Sequence, residues 1–361
     1  MDERCSGPHS GAMETFESLV RAEFAPKNIY LNTASCGLLP ARTVEAMRAA
    51  VESVADGRPS DMFDDVEASR AAFARLAGVP AGRVAAGASV AVYSGLIAAS
   101  LPPGAEVLTA EDDFSSVVNP FHVRGDLKTR AVPLERIAES VRPGTALVAV
   151  SAAQSADGRV ADLEGIARAA REHGARTYID ASQAAGWLPV EADAYDFVSS
   201  VAFKWLVCPR GVAFLVVPED LGGLTPVFAG WVAGEAPWDS CYGPVEELAH
   251  SARRFDESPS LFSYAGARHS LELVEELGVA NVRAHDLALA GRFRAGLQRL
   301  GHAPVPAPAS PIVSVLGLGR RQPELSEAGV EVSDRAGNLR AAFHLYNTPA
   351  DVDRLLDVLS G

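Results

Sequence analysis

Two polar side chains stand out in the stretch YIDASQAAGWLPVEADAYDFVSSVAFKW, which runs from Tyr178 to Trp205. One is the carboxylate of Asp180, which closes the run RTYID. The other is the ammonium of Lys204, set in sequence between Phe203 and Trp205. An amine flanked by aromatic rings is partly desolvated, which lowers its pKa and makes the neutral, nucleophilic form accessible. An aspartate at the carboxyl end of an apolar strand stands where open α/β sheets present functional side chains. Each residue alone has a plainer use. Asp180 would cap the following helix, and Lys204 would lay its stem along a strand end with its charge in water. The pair says more, because Lys204 comes directly after the next expected strand, YDFVSSV. Two neighbouring parallel strands then deliver a carboxylate and an amine to one crevice, with Gln183 on the turn after Asp180.

The elements that must hold these groups follow from the hydrophobic pattern. Between Ala81 and Val217, short apolar runs (RVAAGA, AEVLTA, TALVAVSA, RTYID, YDFVSSV, GVAFLVV) alternate with amphipathic stretches. Runs of this length bounded by Gly, Pro or Asp and separated by helix-period segments predict a mostly parallel sheet with helices on both faces. In Asp162 to His173, Leu163, Ile166, Ala167 and Ala170 recur at helical spacing, and Gly174 is placed to stop the helix. After Pro218 the texture shifts to loops rich in Gly, Pro and Trp (FAGWVAGEAPWDSCYGP), then to long helical segments and short strands. TPADVDRLLDVLSG reads as a closing helix capped by Thr348. The main boundary is expected near residues 240 to 260. The expected division is a disordered leader over 1–14, with Met13 as an alternative start, an N-terminal segment over 15–45 that joins the small domain, a large domain over 46–245 and a small α+β domain over 246–361.

Composition excludes several function classes. The 361 residues are 48% hydrophobic and 22% charged, enough for two domains and a substantial core. The apolar stretches are broken by Ser and Gly short of a membrane-spanning length. The acidic start MDERCSGPHSGAMETF has no apolar centre and is not a signal or transit peptide. Lys plus Arg number 32 against 46 for Asp plus Glu, a net charge of −14. Such a surface repels nucleic acid and anionic membranes and leaves a small molecule as the expected partner. The four cysteines are scattered without metal-type or disulfide-framework spacing, which suits a reduced, cytoplasmic protein.

The segment from Tyr178 to Val217 resembles the pyridoxal-phosphate signature of class V aminotransferases, of fold type I. That group includes cysteine desulfurases, kynureninases, isopenicillin N epimerase and the ergothioneine carbon–sulfur lyase. The resemblance extends from YLNTASCGLLP near the start to NLRAAFHLYNTPADVDRLLDVL near the end. It implies pyridoxal 5'-phosphate as cofactor, with Lys204 as the Schiff-base lysine that also moves the Cα proton. Asp180 would pair with the ring nitrogen and Gln183 with the phenolic oxygen. Ser89 and Val90, at the helix start after Gly87, would hold the phosphate with free backbone N–H groups and a hydroxyl. Phe114 would stack on the ring. Trp231, in AGW, and Ser258, in RFDESPSLFSYAG, would contact the phosphate. Ser258 would come from a second subunit, so that the active site needs a homodimer. Arg340 would hold the substrate's α-carboxylate, because a guanidinium fits a carboxylate in bidentate fashion, and Asn32 would approach from the small-domain side.

One position departs from the family pattern. Val201 and Phe203 stand where the family often has a hydroxyl residue and a histidine, so Ser199 or Ser200 would have to supply any missing phosphate hydroxyl. Cys36, His344 and Tyr346 receive no role. The last cysteine is Cys241, so persulfide chemistry on a C-terminal loop is not expected. The expected reaction on an α-amino acid is carbon–sulfur β-elimination, with amino-group transfer or epimerisation as alternatives within the family. Two other readings are a catalytically silent protein that keeps the fold for binding, and a nucleotide-binding α/β protein. The conjunction of Lys204, Asp180 and Gln183 argues against the first, and the lack of a glycine-rich nucleotide loop after any strand argues against the second.

Overall fold

A computed structural model describes residues 9–58 and 63–361, with side chains from Thr15 onward. Most of the expected leader lies outside the described residues. The helix α1 (His9–Glu23) takes in its last part, so that 9–14 is helical.

The body that carries the site is a seven-stranded sheet. In chain order its strands are β2 (Val84–Gly87), β3 (Glu106–Ala110), β4 (Lys128–Val132), β5 (Thr145–Ser151), β6 (Arg176–Asp180), β7 (Phe197–Val201) and β8 (Ala213–Val216). Their spatial order is β2-β8-β7-β6-β5-β3-β4, and every neighbouring pair is parallel except those that β8 makes with β2 and β7. This is the expected mostly parallel α/β sheet, and its strands alternate as period-two geometry requires. Leu147, Ala149 and Tyr178 join the core on one face, while Val148, Val150 and Ile179 join the core on the other. The helix α7 (Leu163–His173) begins with Asp162 accepting from the Gly165 N–H at 3.0 Å and ends at Gly174 with φ 68°, as its sequence predicts.

Two features were not anticipated. The β4 strand KTRAV is largely exposed at the sheet edge and carries no hydrophobic alternation. The β8 strand runs antiparallel because the short link after β7 cannot hold the helical crossover that a parallel return demands.

The smaller body packs around its own core of Leu31, Phe293, Val313, Leu339, Phe343 and Leu355. Its antiparallel sheet has β12 (Asn338–Ala342) between β9 (Ile312–Val315) and β11 (Ser333–Arg335). In the N-terminal segment β1 (Ile29–Tyr30) pairs in parallel with β10 (Val330–Glu331), and Asn32 bridges to Ala342. The last helix, α11 (Pro349–Ser360), opens with a capping box of Thr348 and Asp351. The helix α8 (Leu261–Leu277) contributes Tyr264, Leu271 and Val274 to the core of the large sheet, whereas α9 (Val279–Arg299) contributes Leu289 and Phe293 to the smaller one. Packing therefore changes body near Gly278, beyond the stretch where composition changes.

A buried ion pair anchors the start of the site. Arg70, on α3 (Phe63–Ala77), reaches Asp256 at 2.6 Å and the Val84 carbonyl at 2.6 Å, and Asp256 also accepts the Ala86 N–H at 2.8 Å. Helix α3, strand β2 and the 256 loop are thus tied together just before the turn at Gly87. Arg70 also pairs with the exposed Glu67 at 3.0 Å, so losing Asp256 leaves it a single, solvent-screened partner. Asp256→Ala is expected to lower the apparent unfolding free energy by about 3 kcal/mol in urea denaturation, the low end for a broken buried pair.

Candidate active site

The parallel strands end on one edge, and the residues expected to do chemistry follow those ends. Asp180 is the last residue of β6, and its register partners are Ser151 of β5 and Ser199 of β7. Lys204 lies just past the end of β7. Phe114 caps α5 (Ser115–Val123) after β3, and Ser89 caps α4 (Val90–Ser100) after β2. The structure therefore brings Lys204, Asp180, Gln183 and Phe114 to one end of the sheet.

The lysine is the most unusual group there. It is 6% exposed, and burial lowers its pKa from 10.5 to about 8. Asp180 opposes this shift, while Arg340, Arg210 and Arg335 reinforce it. Its Nζ lies 5.2 Å from the Phe114 ring centre and 5.9 Å from that of Phe203. Trp205 does not flank the ammonium, contrary to its place in the sequence. Its ring turns into the core, where its indole N–H donates to Gln183 Oε1 at 2.8 Å and His344 packs edge-on against it. Successive residues of a tight turn need not share a face, so Phe114, from the loop between β3 and α5, takes the position that sequence gave to Trp205.

Asp180 is buried, which pushes its carboxyl pKa up, while Ser182 and the Lys204 charge pull it down. Its Oδ1 accepts from the Ser182 N–H at 3.0 Å and from the Ser182 hydroxyl, while Oδ2 has no hydrogen bond among the described residues. One oxygen is thus left free to accept a further hydrogen bond. Gln183 is more committed than the sequence implied. Its amide nitrogen donates to the Ala34 carbonyl at 2.9 Å and to Ser155 Oγ at 3.0 Å, so a bond to a phenolic oxygen would displace one of these.

The turn Gly87–Val90 has the features of an anion cradle. Ser89 is extended and makes no capping bond through its side chain, leaving its hydroxyl and the first N–H groups of α4 without helical partners. Glu257 Oε1 already accepts the Ala88 N–H at 2.9 Å, so an anionic oxygen sits on this turn within the chain itself. Ser258 is exposed on the adjoining loop. Trp231 packs against Phe63 and Trp238, and no ring contact or hydrogen bond joins it to Lys204, Asp180 or Ser89. Together, the open Asp180 oxygen, the half-exposed Phe114 ring, the desolvated Lys204 and this cradle fit pyridoxal phosphate. A further leftover donor, buried Gln154 Nε2, has no partner among the described residues.

Arg340 projects from β12 and is 1% exposed. Its Nε donates to Ser333 Oγ at 3.2 Å, Nη1 to the carbonyl and hydroxyl of Ser155, and Nη2 to Ser35 Oγ at 2.7 Å. Every one of these acceptors is neutral. Burial lowers its pKa to about 9, still above neutral pH, so a charged guanidinium waits here without a carboxylate. Asn32 Oδ1 accepts from Ser35 at 2.7 Å, and its amide nitrogen makes no bond among the described residues. Ser35 and Ser155 are the positioning groups that sequence reasoning missed. Ser35 lies in the quoted stretch NTASCG, but a serine hydroxyl has no spacing signal of its own.

The loop that carries Lys204 is held from behind. His344 Nε2 meets the Trp205 carbonyl at 2.9 Å and Nδ1 meets Asp286 Oδ2 at 2.9 Å. A carbonyl only accepts, so Nε2 carries the hydrogen. Burial pushes the Asp286 pKa up, and His344 counters it. Gly37 completes the brace: its N–H donates to the Phe203 carbonyl at 2.8 Å, and a Cβ there would meet the Lys204 carbonyl oxygen at 2.1 Å. His344 thus faces the core and supports the lysine turn. Tyr346 also faces the core, its hydroxyl paired with Thr33 at 2.5 Å.

A sequence profile described as aminotransferase class-V matches residues 29–318. Among curated proteins, an uncharacterized aminotransferase of Bacillus subtilis is 26% identical over 318 residues, covering 83% of this chain and 84% of that protein. Isopenicillin N epimerase of Amycolatopsis lactamdurans is 27% identical over 377 residues, covering 91% and 94%. Among solved structures, the cystine C–S lyase bound to its product cysteine persulfide superposes with a TM-score of 0.84 at 23% identity, covering 92% of this chain and 97% of that one. A cysteine desulfurase from Thermococcus onnurineus superposes with a TM-score of 0.82 at 19% identity, covering 92% and 94%.

The lowered Lys204 pKa has a measurable sign. Between about 8 and 10.5 the unfolded chain holds a proton on this lysine that the folded chain has released, so folding stability rises with pH across that window. The cofactor-free wild type is expected to gain about 3 kcal/mol over cofactor-free Lys204→Met as pH rises from 8 to 10.5. Denaturation curves that stay parallel across that range would show that the amine is solvated.

Proposed function

This chain belongs to the class-V aminotransferase family, pyridoxal-phosphate enzymes of lyase or transferase type, and on that premise we propose that it eliminates a thiol from the β-carbon of an α-amino acid. The observation that carries this reading is the amine of Lys204 as proton carrier, with no histidine beside it in the lysine turn. Lys204, with a pKa of about 8, stands among three guanidiniums, the Asp180 carboxyl and the Tyr30 phenol, whose pKa is pushed up to about 12. Phe203 occupies the place where a neighbouring histidine could serve as a second base. One base suits a reaction that takes a proton from Cα and returns it to a departing sulfur. Inversion at Cα asks for an acid on the opposite face.

When bound, the cofactor supplies an electron sink for the bonds broken at Cα. Asp180 would hold the ring nitrogen protonated through its open oxygen, Phe114 would cover the ring, and the Gly87–Val90 turn would hold the phosphate. Arg340 would take the α-carboxylate in exchange for the Ser35 or Ser155 hydroxyl, with the Asn32 amide beside it. Lys204 would accept the Cα proton and deliver it to sulfur. In sum, an S-substituted cysteine and water give the thiol, pyruvate and ammonium. Ser258 is placed on an exposed loop, where a second copy of the chain would bring its own hydroxyl to the neighbouring cradle.

Amino-group transfer uses the same residues and is the second reading, supported by the Bacillus subtilis relative named as an aminotransferase. Products separate the two: elimination releases pyruvate and ammonia without a keto-acid acceptor, and transfer needs the acceptor.

Lys204→Ala is expected to lower turnover by about 10³-fold or more and to remove the yellow colour that shifts on adding an amino acid. A mutant that stays yellow and active would overturn the assignment. Arg340→Gln is expected to raise KM about 100-fold with little change in kcat, since a carboxylate anchor binds ground and transition states alike. A loss confined to kcat would remove Arg340 from substrate binding.

A further inference from the structure

The site faces an accumulation of unpaired positive charge that the reaction alone does not require. Many arginines of this acidic chain meet carboxylates, among them Arg42 with Glu23, Arg75 with Glu275 and Arg292 with Asp353. Among the described residues, Arg340, Arg335 and Arg210 have no such partner. Arg210 lies over the Phe203 ring at 4.3 Å. Arg335 sits at the tip of the β11–β12 hairpin, where Ser333 is opposite Arg340 and Arg335 is opposite Asn338. Strand alternation then puts Ser333, Arg335, Asn338 and Arg340 on one face, as the Arg340 to Ser333 hydrogen bond confirms. The turn is tight: Ala336 and Gly337 both have positive φ, 52° and 83°, and the Gly337 N–H donates to Asp334 Oδ1 at 2.8 Å.

Arg335 is exposed and free to extend into water, yet its Nη2 donates to Ser35 Oγ at 2.8 Å, the same oxygen that accepts from Arg340 at 2.7 Å. Ser35 gives its own hydrogen to Asn32. Two guanidinium groups therefore sit within two hydrogen-bond lengths of each other, bridged by a neutral hydroxyl. Like charges at that separation repel, and an anion between them removes the repulsion. Beyond the effect of burial, Arg340, Arg335 and Arg210 all lower the Lys204 pKa.

We propose that Arg335 forms a second anion subsite beside Arg340, so that the preferred substrate is an S-substituted cysteine whose S-substituent ends in a carboxylate. The inference rests on the reading of Arg340 as the α-carboxylate anchor. Arg340, the buried member, takes the α-carboxylate; Arg335, the exposed member, takes the far end of the side chain, and Arg210 adds its field from over the Phe203 ring.

The test is calorimetric titration of the holoenzyme with glutarate and with butyrate, alongside KM for S-carboxymethylcysteine and S-ethylcysteine. Wild type is expected to bind glutarate about tenfold more tightly than butyrate, and Arg335→Gln to abolish the difference without weakening butyrate. Arg335→Lys should restore part of it, and unchanged melting of both variants shows that the fold is intact. Equal binding of the two acids, or an Arg335→Gln that weakens both alike, overturns the proposal; the latter would mean that both arginines grip one carboxylate. Butyrate binding that survives Arg340→Gln removes the anchor reading instead. A glutarate preference without thiol release from S-carboxymethylcysteine keeps the subsite and removes the elimination reading.

Discussion

An ammonium group held out of water opposite one buried carboxylate is the constraint on which this structure depends. Desolvating Lys204 is unfavourable, and a fold tolerates it only if surrounding elements fix the lysine where its neutral form is useful. The architecture supplies that fixity from several directions. Strand β7 delivers the turn, and strand β6 sets Asp180 beside it in register. Behind the turn, His344 and Asp286 of the smaller body hold the Trp205 carbonyl, and Gly37 of the N-terminal segment closes on the Phe203 and Lys204 carbonyls. The two bodies and the N-terminal segment thus meet at the backbone of the one residue whose position matters most.

Charge is arranged with the same economy. The chain carries −14 overall, yet three guanidiniums that act on the Lys204 pKa have no carboxylate partner among the described residues. Their field adds to burial in depressing the lysine pKa and attracts anions, so under the proposed function one set of charges would both activate the nucleophile and draw in a carboxylate substrate. Neutral hydroxyls of Ser35, Ser155 and Ser333 hold Arg340 in place without cancelling its charge.

Much of this could be read along the chain. Strand ends were visible because apolar runs bounded by Asp or Gly are local, and Asp180 and Lys204 fall at such ends. The helix Leu163–His173 and the Thr348 cap follow from capping chemistry written in adjacent residues. Strand β4 was invisible because an exposed edge strand has no buried face to pattern. The direction of Trp205 was misjudged because a turn after a strand abandons period-two alternation. Gln183 was found, but not its bonds to Ala34 and Ser155, which come from distant segments.

The sequence by itself determined the kind of sheet, the residue types able to do chemistry and the strand ends where they stand, since these depend on neighbours within a few positions. Only the tertiary structure decided who meets whom: that Phe114 and not Trp205 lies beside the ammonium, that His344 braces its turn, and that Arg335 shares a hydroxyl with Arg340. Those contacts join residues far apart in the chain, and their energies come from burial and from charge at close range, neither of which exists until the elements have packed.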